Sequence, residues 1–415
     1  MRVTQVHAAD IGGGAEAVVM AHHAELLRLG VDARLLVARK HGDSPGVEQM
    51  RYVRGPKGLR RMARWWEAAT GRQYVYEPSF RALVRDLPAQ ADVVHLHSLH
   101  GSGGYAELPP LVAMAQRVPT VLSLHDLWWL TGHCAHPQEC ERWKIGCGNC
   151  PDLARTPAIT RDATRANFRV KQKVAAAAPL HLIVPSQWVR EQVAESPILR
   201  HLPVTVVNNP IDTDIYKPMG RVEARQRLGL AQDKRILLMA AQFLQSPFKG
   251  IMPVLDALAG DAFRDVHLIL IGRDSKIVAQ RARLPVVGIP FVTDRAVMAD
   301  YYRAADLLLM PSKVETFGLV AAEAMACGTP VVAFPAGGLG DVVVDGEGGV
   351  VTTQDDVSAF VSEVAGLLDD PDRWSRLSRS AAERALREFN LEAHTQACLR
   401  VYRAHADARS HAVFR

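Results

Sequence analysis

The chain has 415 residues, 48% of them hydrophobic, which is too long for one ordinary domain and enough to bury two cores. Lysine and arginine number 49 against 44 aspartate and glutamate, a near balance that excludes a nucleic-acid binder held chiefly by phosphate contacts. The opening MRVTQVHAAD lacks the apolar run of a secretory signal and no stretch reaches membrane-spanning length, so a cytoplasmic location is expected.

In chain order, short apolar runs alternate with segments of helical length. RVTQVHA, ARLLVA, DVVHLHS, TVLSLHD, HLIVPS and VTVVNN form a first set; RILLMAAQ, VHLILIG, LPVVGIP, DLLLMPS and TPVVAFP form a second. Near-continuous Val/Ile/Leu runs suit parallel strands buried on both faces. Between them, segments such as 15–29 carry apolar residues at helical spacing, and this βαβ repetition predicts an α/β protein with two doubly wound, Rossmann-like sheets. The polar and proline-bearing stretch from Asn208 to Pro218 separates the two sets. The expected organisation is an N-terminal domain over 1–208, a hinge over 209–218, a C-terminal domain over 219–390, and a last helix over 391–415 packing back on the N-terminal domain.

Several stretches carry residues with chemistry to offer. The first strand runs into Asp10-Ile11-Gly12-Gly13-Gly14-Ala15-Glu16, where glycines allow close backbone approach and a helix start leaves amides for an anion, although tight turns need glycine as well. There is neither a GxGxxG pattern nor a P-loop. Residues 51–72 hold seven basic residues against Glu67 alone, with Trp65 and Trp66 adjacent; this suits an anionic membrane surface, and equally a solvated helix face with the tryptophans turned inward. Cys134, Cys140, Cys147 and Cys150 crowd into 133–151 and fit a structural tetrahedral zinc, a disulfide pair or pairs, or unpaired packing. Asp212-Thr213-Asp214 imitates an acidic metal motif but lies in the linker, where a turn is the better reading.

The densest region is Pro311 to Pro330. Strand DLLLMPS ends in a polar loop holding Glu315, and Gly318 opens a helix with Glu323 in its second turn. Amides at that helix start suit a diphosphate, and a carboxylate suits the paired hydroxyls of a sugar or ribose. The bland alternative is an acid favouring the helix dipole plus a solvated glutamate.

Together these pieces resemble the retaining glycosyltransferases of family four. The resemblance rests on Glu315 and Glu323 with ACGTPVVAFPAGGLGDVV after them, on Gly12-Gly13-Gly14-Ala15-Glu16, DVVHLHS, VPSQWV, VVNNPIDTDIYKP and FKG at 248–250, and it spans nearly the whole chain. It implies the GT-B fold, two facing Rossmann-like domains with a deep interdomain cleft. It implies further that Glu315 contacts the transferred sugar, Glu323 holds the ribose, Lys249 neutralises the diphosphate and His125 faces the sugar. Thr316, Phe317, Gly318, Leu319 and Val320 line the donor, with Gly13, Gly14 and Gly288 in the same set. Where the family has an arginine this chain has Gln242, and Arg273 is the candidate to compensate. His97, Asp126 and Trp128 fall on the acceptor side. The cysteine-rich insertion after HDLW is similar to that of exopolysaccharide and colanic acid transferases.

The expected reaction is transfer from a UDP- or GDP-sugar to a hydroxyl acceptor, a lipid-linked saccharide or a small metabolite, with no catalytic cofactor, a structural zinc as the one metal considered, and peripheral contact at the inner membrane face through 51–72. A sugar-nucleotide epimerase or phosphorylase and a non-catalytic binding scaffold are the rival readings.

Overall fold

The computed structural model of the protein describes residues 1–53, 56, 58–100 and 104–413. Arg54 and Lys57 of the basic segment, and Phe414 and Arg415 at the C-terminus, lie outside the described residues. The chain divides into two compact units, Met1–Val207 with Glu392–Arg415, and Asn208–Leu391.

The first unit is built on strands β1 (Arg2–Ala9), β2 (Asp32–Arg39), β3 (Val47–Gln49), β4 (Val93–Leu96), β5 (Thr120–Ser123), β6 (Leu180–Val184) and β7 (Val204–Val206). They lie in the order β3-β2-β1-β4-β5-β6-β7, each pair parallel. β4 and β5 are buried at every position, as strands covered by helices on both faces must be. The C-terminal helix Leu391–Val413 belongs to this covering: its Cys398, Leu399, Val401 and Tyr402 pack with Val3, Val93, Val121 and Ile183 of the sheet.

The second unit repeats the plan with β8 (Arg235–Ala240), β9 (Val266–Ile271), β10 (Val286–Ile289), β11 (Leu307–Met310), β12 (Val331–Ala333), β13 (Val344–Asp345) and β14 (Gly348–Val351), ordered β10-β9-β8-β11-β12-β14-β13 and again parallel. Asp306, buried just before β11, accepts from the Arg225 guanidinium at 2.9 Å and from the Ile236 amide at 2.6 Å, so one carboxylate ties the helix Arg221–Leu228 to β8.

The second sheet reverses its strand order at its edge, where β14 lies inside β13, and both sheets reverse it near the centre, between β1 and β4 and between β8 and β11. Connections leave in opposite directions there and open a crevice at the carboxyl ends of the strands. The loops after β1, β4 and β5 in the first unit, and after β8, β9 and β11 in the second, therefore lie where sheets of this kind receive ligands. Among the described residues, no helix is long and apolar enough to cross a membrane.

Candidate active site

In the second unit the loop after β11 carries Glu315, whose Oε1 accepts from Lys249 Nζ at 2.6 Å and from Ser312 Oγ at 2.8 Å. Lys249 comes from the loop after β8, and two features bring the loops together. The Lys313 amide donates to the Phe248 carbonyl at 2.8 Å. Gly250, at φ +59°, lies so close that a Cβ there would meet the Pro311 carbonyl oxygen at 1.9 Å. The glycine of Phe248-Lys249-Gly250 thus lets the lysine reach the acid.

Gly318, at φ +102°, caps the helix Leu319–Ala326, and a Cβ on it would sit 2.5 Å from Leu339 Cδ1. The first amides of that helix have no partner within it and point from its positive end. Thr316 is half-buried in the preceding loop; Phe317 is buried edge-on against Phe389, ring centroids 5.3 Å apart, so only its backbone is available to a ligand. Glu323 faces inward and its Oε2 accepts from Tyr302 OH at 2.9 Å. Burial raises its carboxyl from 4.5 to about 7, against the opposing pull of the Tyr302 hydrogen bond and the Arg295 charge.

The Gln242 and Arg273 loops are joined by a hydrogen bond from the Arg273 amide to the Gln242 carbonyl at 3.1 Å. The Arg273 guanidinium hangs over Phe243 and Phe291, 5.9 Å and 5.6 Å from the ring centroids. Gly288 lies in β10, where a Cβ would meet the Ser275 carbonyl oxygen at 2.9 Å; strand-to-helix packing accounts for that glycine.

In the first unit Gly13 caps the helix Gly14–Arg28, and its amide donates to Glu16 Oε2 at 2.7 Å. Burial alone would raise the Glu16 carboxyl, yet the hydrogen bond and charge of His7 together with backbone amides hold it down at about 2. The anion expected at this helix start is, at Gly13, the chain's own carboxylate.

The His125 ring is placed by a chain of buried polar contacts. His23 Nε2 lies 3.1 Å from the Pro45 carbonyl oxygen, which only accepts, so Nε2 carries the proton. Burial lowers the His23 pKa. Its Nδ1 lies 3.2 Å from Gln5 Oε1, and Gln5 Nε2 lies 3.5 Å from His97 Nε2. His97 Nδ1 is in turn 3.0 Å from His125 Nε2. Burial, with the neighbouring His7 charge, pulls His125 down to about 3, so its ring is neutral.

Asp126 accepts from the Trp128 amide at 2.8 Å and pairs with His100 Nε2 at 3.0 Å. Burial works against its ionisation, but His100 holds the carboxyl at about 2. Trp128 is fully buried, its Nε1 donating to Gln73 at 3.2 Å, so its ring packs the core and shows no face to an acceptor. Asp212 accepts from the Asp214 amide at 3.2 Å, the turn expected of that sequence. In the helix Leu59–Thr70, Trp65 and Trp66 are not turned inward: they are 69% and 48% exposed, beside Met62 at 66%.

Tyr302, Gln5, His23 and His100 escaped the sequence reading, because each stands well away along the chain from its partner; Ser312, three residues before Glu315, lies in the stretch already singled out but carries no motif of its own.

Two parallel seven-stranded units with ligand loops at the switch points, the second holding a lysine–carboxylate pair beside a glycine-started helix, define a GT-B glycosyltransferase. The profile described as Glycosyltransferase Family 4 matches residues 12–215, and that of Glycosyl transferases group 1 matches residues 220–384. A D-inositol 3-phosphate glycosyltransferase 1 of Catenulispora acidiphila is 31% identical over 340 residues, 78% of this chain and 75% of that protein. In fold, sucrose-phosphate synthase of Thermosynechococcus elongatus superposes with TM-score 0.70 at 20% identity, covering 98% of this chain and all (100%) of that one. The Anabaena protein HepE, solved in complex with UDP-glucose, does so with TM-score 0.66 at 21% identity over 97% of this chain and 100% of its own. The chain belongs to glycosyltransferase family 4.

Proposed function

We propose that the protein moves a sugar, with retention of anomeric configuration, from a UDP-sugar bound in the second unit to a hydroxyl of a phosphate-bearing acceptor held by the first. The observation that carries this reading is the 2.6 Å pair of Lys249 and Glu315 beside the Gly318 helix start. A diphosphate brought to those amides takes Lys249 as its counter-cation, which frees Glu315 to receive hydroxyls of the transferred sugar. Glu323 takes the ribose diol.

As the anomeric C–O bond breaks, negative charge grows on the leaving diphosphate, where the amides and Lys249 are already aimed. The acceptor oxygen attacks on the face the diphosphate leaves, and its proton passes to a diphosphate oxygen. Lys249 supplies the cationic role, and the chemistry needs no catalytic metal. Uridine as the base is favoured by the UDP-glucose complex of the Anabaena neighbour. GDP is the second candidate.

A phosphate on the acceptor fits the printed activity of the Catenulispora relative and a cavity of about 400 Å³ in the first unit walled in part by Arg72, Arg169 and Lys173. The exposed Met62, Trp65 and Trp66 on a helix that also carries Arg61 make peripheral contact with an anionic membrane, so a lipid-linked saccharide of polysaccharide or glycoconjugate assembly is the acceptor source we favour. The test supplies purified protein with UDP-sugars and either a lipid-diphosphate saccharide or an inositol phosphate, reading product anomer by NMR. A retained anomer on the lipid supports the full reading, and product only on the soluble phosphate overturns the membrane part. Release of UDP with no acceptor product, or inversion, overturns the reaction.

A further inference from the structure

The loop between β5 and β6 holds a group of side chains that sugar transfer does not use. All six cysteines are free thiols, and Cys134, Cys140, Cys147 and Cys150 line one cavity together with His133. The space inside for a water-sized body is about 20 Å³, room for one atom-sized occupant and nothing larger.

His133 is set as a metal-binding imidazole is usually set. Its Nδ1 lies 3.1 Å from the Pro157 carbonyl oxygen and must carry the proton, so the Nε2 lone pair turns to Cys150 Sγ at 3.3 Å. Two ligands on one tetrahedral zinc, with bonds of about 2.0 Å to nitrogen and about 2.3 Å to sulfur, stand about 3.5 Å apart. The Gly132 amide points at Cys147 Sγ from 3.2 Å, a donor for a thiolate. Within Cys147-Gly148-Asn149-Cys150, the non-glycine residues Cys147 and Asn149 take φ of +54° and +51°, a conformation that costs about 1–2 kcal/mol at each and persists where something holds it. Beneath the cavity Lys171 is fully buried, its Nζ donating to the Trp128 and Thr131 carbonyls.

We propose that His133 and three of the four thiols Cys134, Cys140, Cys147 and Cys150 hold a tetrahedral structural zinc that pins this loop. Soft thiolate donors select zinc, copper(I) or iron–sulfur clusters, and the space leaves no room for a cluster. No three of these donors are yet gathered within 4.8 Å of one another; the described group that is, His22 with His394 and Cys398, has both His22 nitrogens engaged by Thr395 and Tyr402. Binding therefore draws the thiols inward by side-chain rotation.

The test is the metal content of the full-length protein purified without added metal and passed through EDTA, measured by mass spectrometry of the elements. About one zinc per chain is expected, released when a mercurial titrates the thiols. Cys147→Ser should lose the zinc, His133→Ala should weaken its retention by about 10–100-fold, and Cys398→Ala should keep it. Should Cys147→Ser fail to fold, mercurial release from the wild type still decides. Metal-free protein with thiols open to reagent, disulfides by intact mass, or zinc lost only in Cys398→Ala would overturn the proposal.

Discussion

Replacing Glu323 by glutamine should stabilise the ligand-free protein by an amount that depends on pH. In the folded chain the carboxyl titrates near 7 because it is buried, and in the unfolded chain near 4.5. Below 4.5 it is neutral in both states and costs nothing. Between the two values the unfolded chain ionises while the folded one resists, and above 7 the folded state carries the whole penalty of a buried charge. A displacement from 4.5 to about 7, at about 1.4 kcal/mol per pH unit, amounts to about 3.5 kcal/mol. Glutamine cannot ionise, and its carbonyl can still accept from Tyr302. At about 2–4 °C per kcal/mol for a unit of this size, the variant should melt about 7–14 °C above wild type at pH 8.5 and only about 2–3 °C above it at pH 5. Paired thermal melts at the two pH values read this directly. An equal difference at both would refute the burial argument. The same substitution should weaken nucleotide binding about tenfold, because an amide no longer accepts both ribose hydroxyls.

Lys249→Ala should slow transfer about a hundredfold or more while folding normally, measured as kcat against the sugar donor. Gly318→Ala should cost about 1–3 kcal/mol in a urea titration, from its φ of +102° and the clash with Leu339, and should blunt nucleotide binding as the helix start shifts. Gln5→Leu should break the chain that orients His125: kcat should fall about tenfold with KM little changed, and the ¹⁵N signals of His125 should show mixed tautomers in place of one. Trp65→Ser together with Trp66→Ser should abolish co-sedimentation with anionic vesicles and leave turnover on a soluble acceptor intact; retained sedimentation would remove the membrane contact from the account.

The architecture was legible because strands buried on both faces must be apolar throughout, so DVVHLHS, VHLILIG and DLLLMPS announce parallel sheets without tertiary information. The glycine in FKG and the one before LVAAEA were legible as positions, and the structure supplies their reasons, the Pro311 carbonyl and the Leu339 side chain. Other features depend on partners that spacing cannot reveal. Glu16 reads as one more acid in a first turn until it closes on the Gly13 amide. Trp128 follows a histidine–aspartate pair and reads as a ligand contact, yet the bulk of an indole draws it into the core. The contacts that hold His125 run through His97 and Gln5 to His23, residues from the loop after β4, from β1 and from the first helix, and only the fold brings them together.

The central claim is that Lys249 and its surroundings hold the nucleotide diphosphate. It is tested most directly by calorimetric titration of UDP, GDP and ADP into wild type and Lys249→Ala. The account predicts clear binding of one nucleotide, UDP before GDP, and a loss of about 1.5–3 kcal/mol in the variant, the worth of a charged hydrogen bond. Equal affinity in both proteins, or no binding of any of the three, would contradict it.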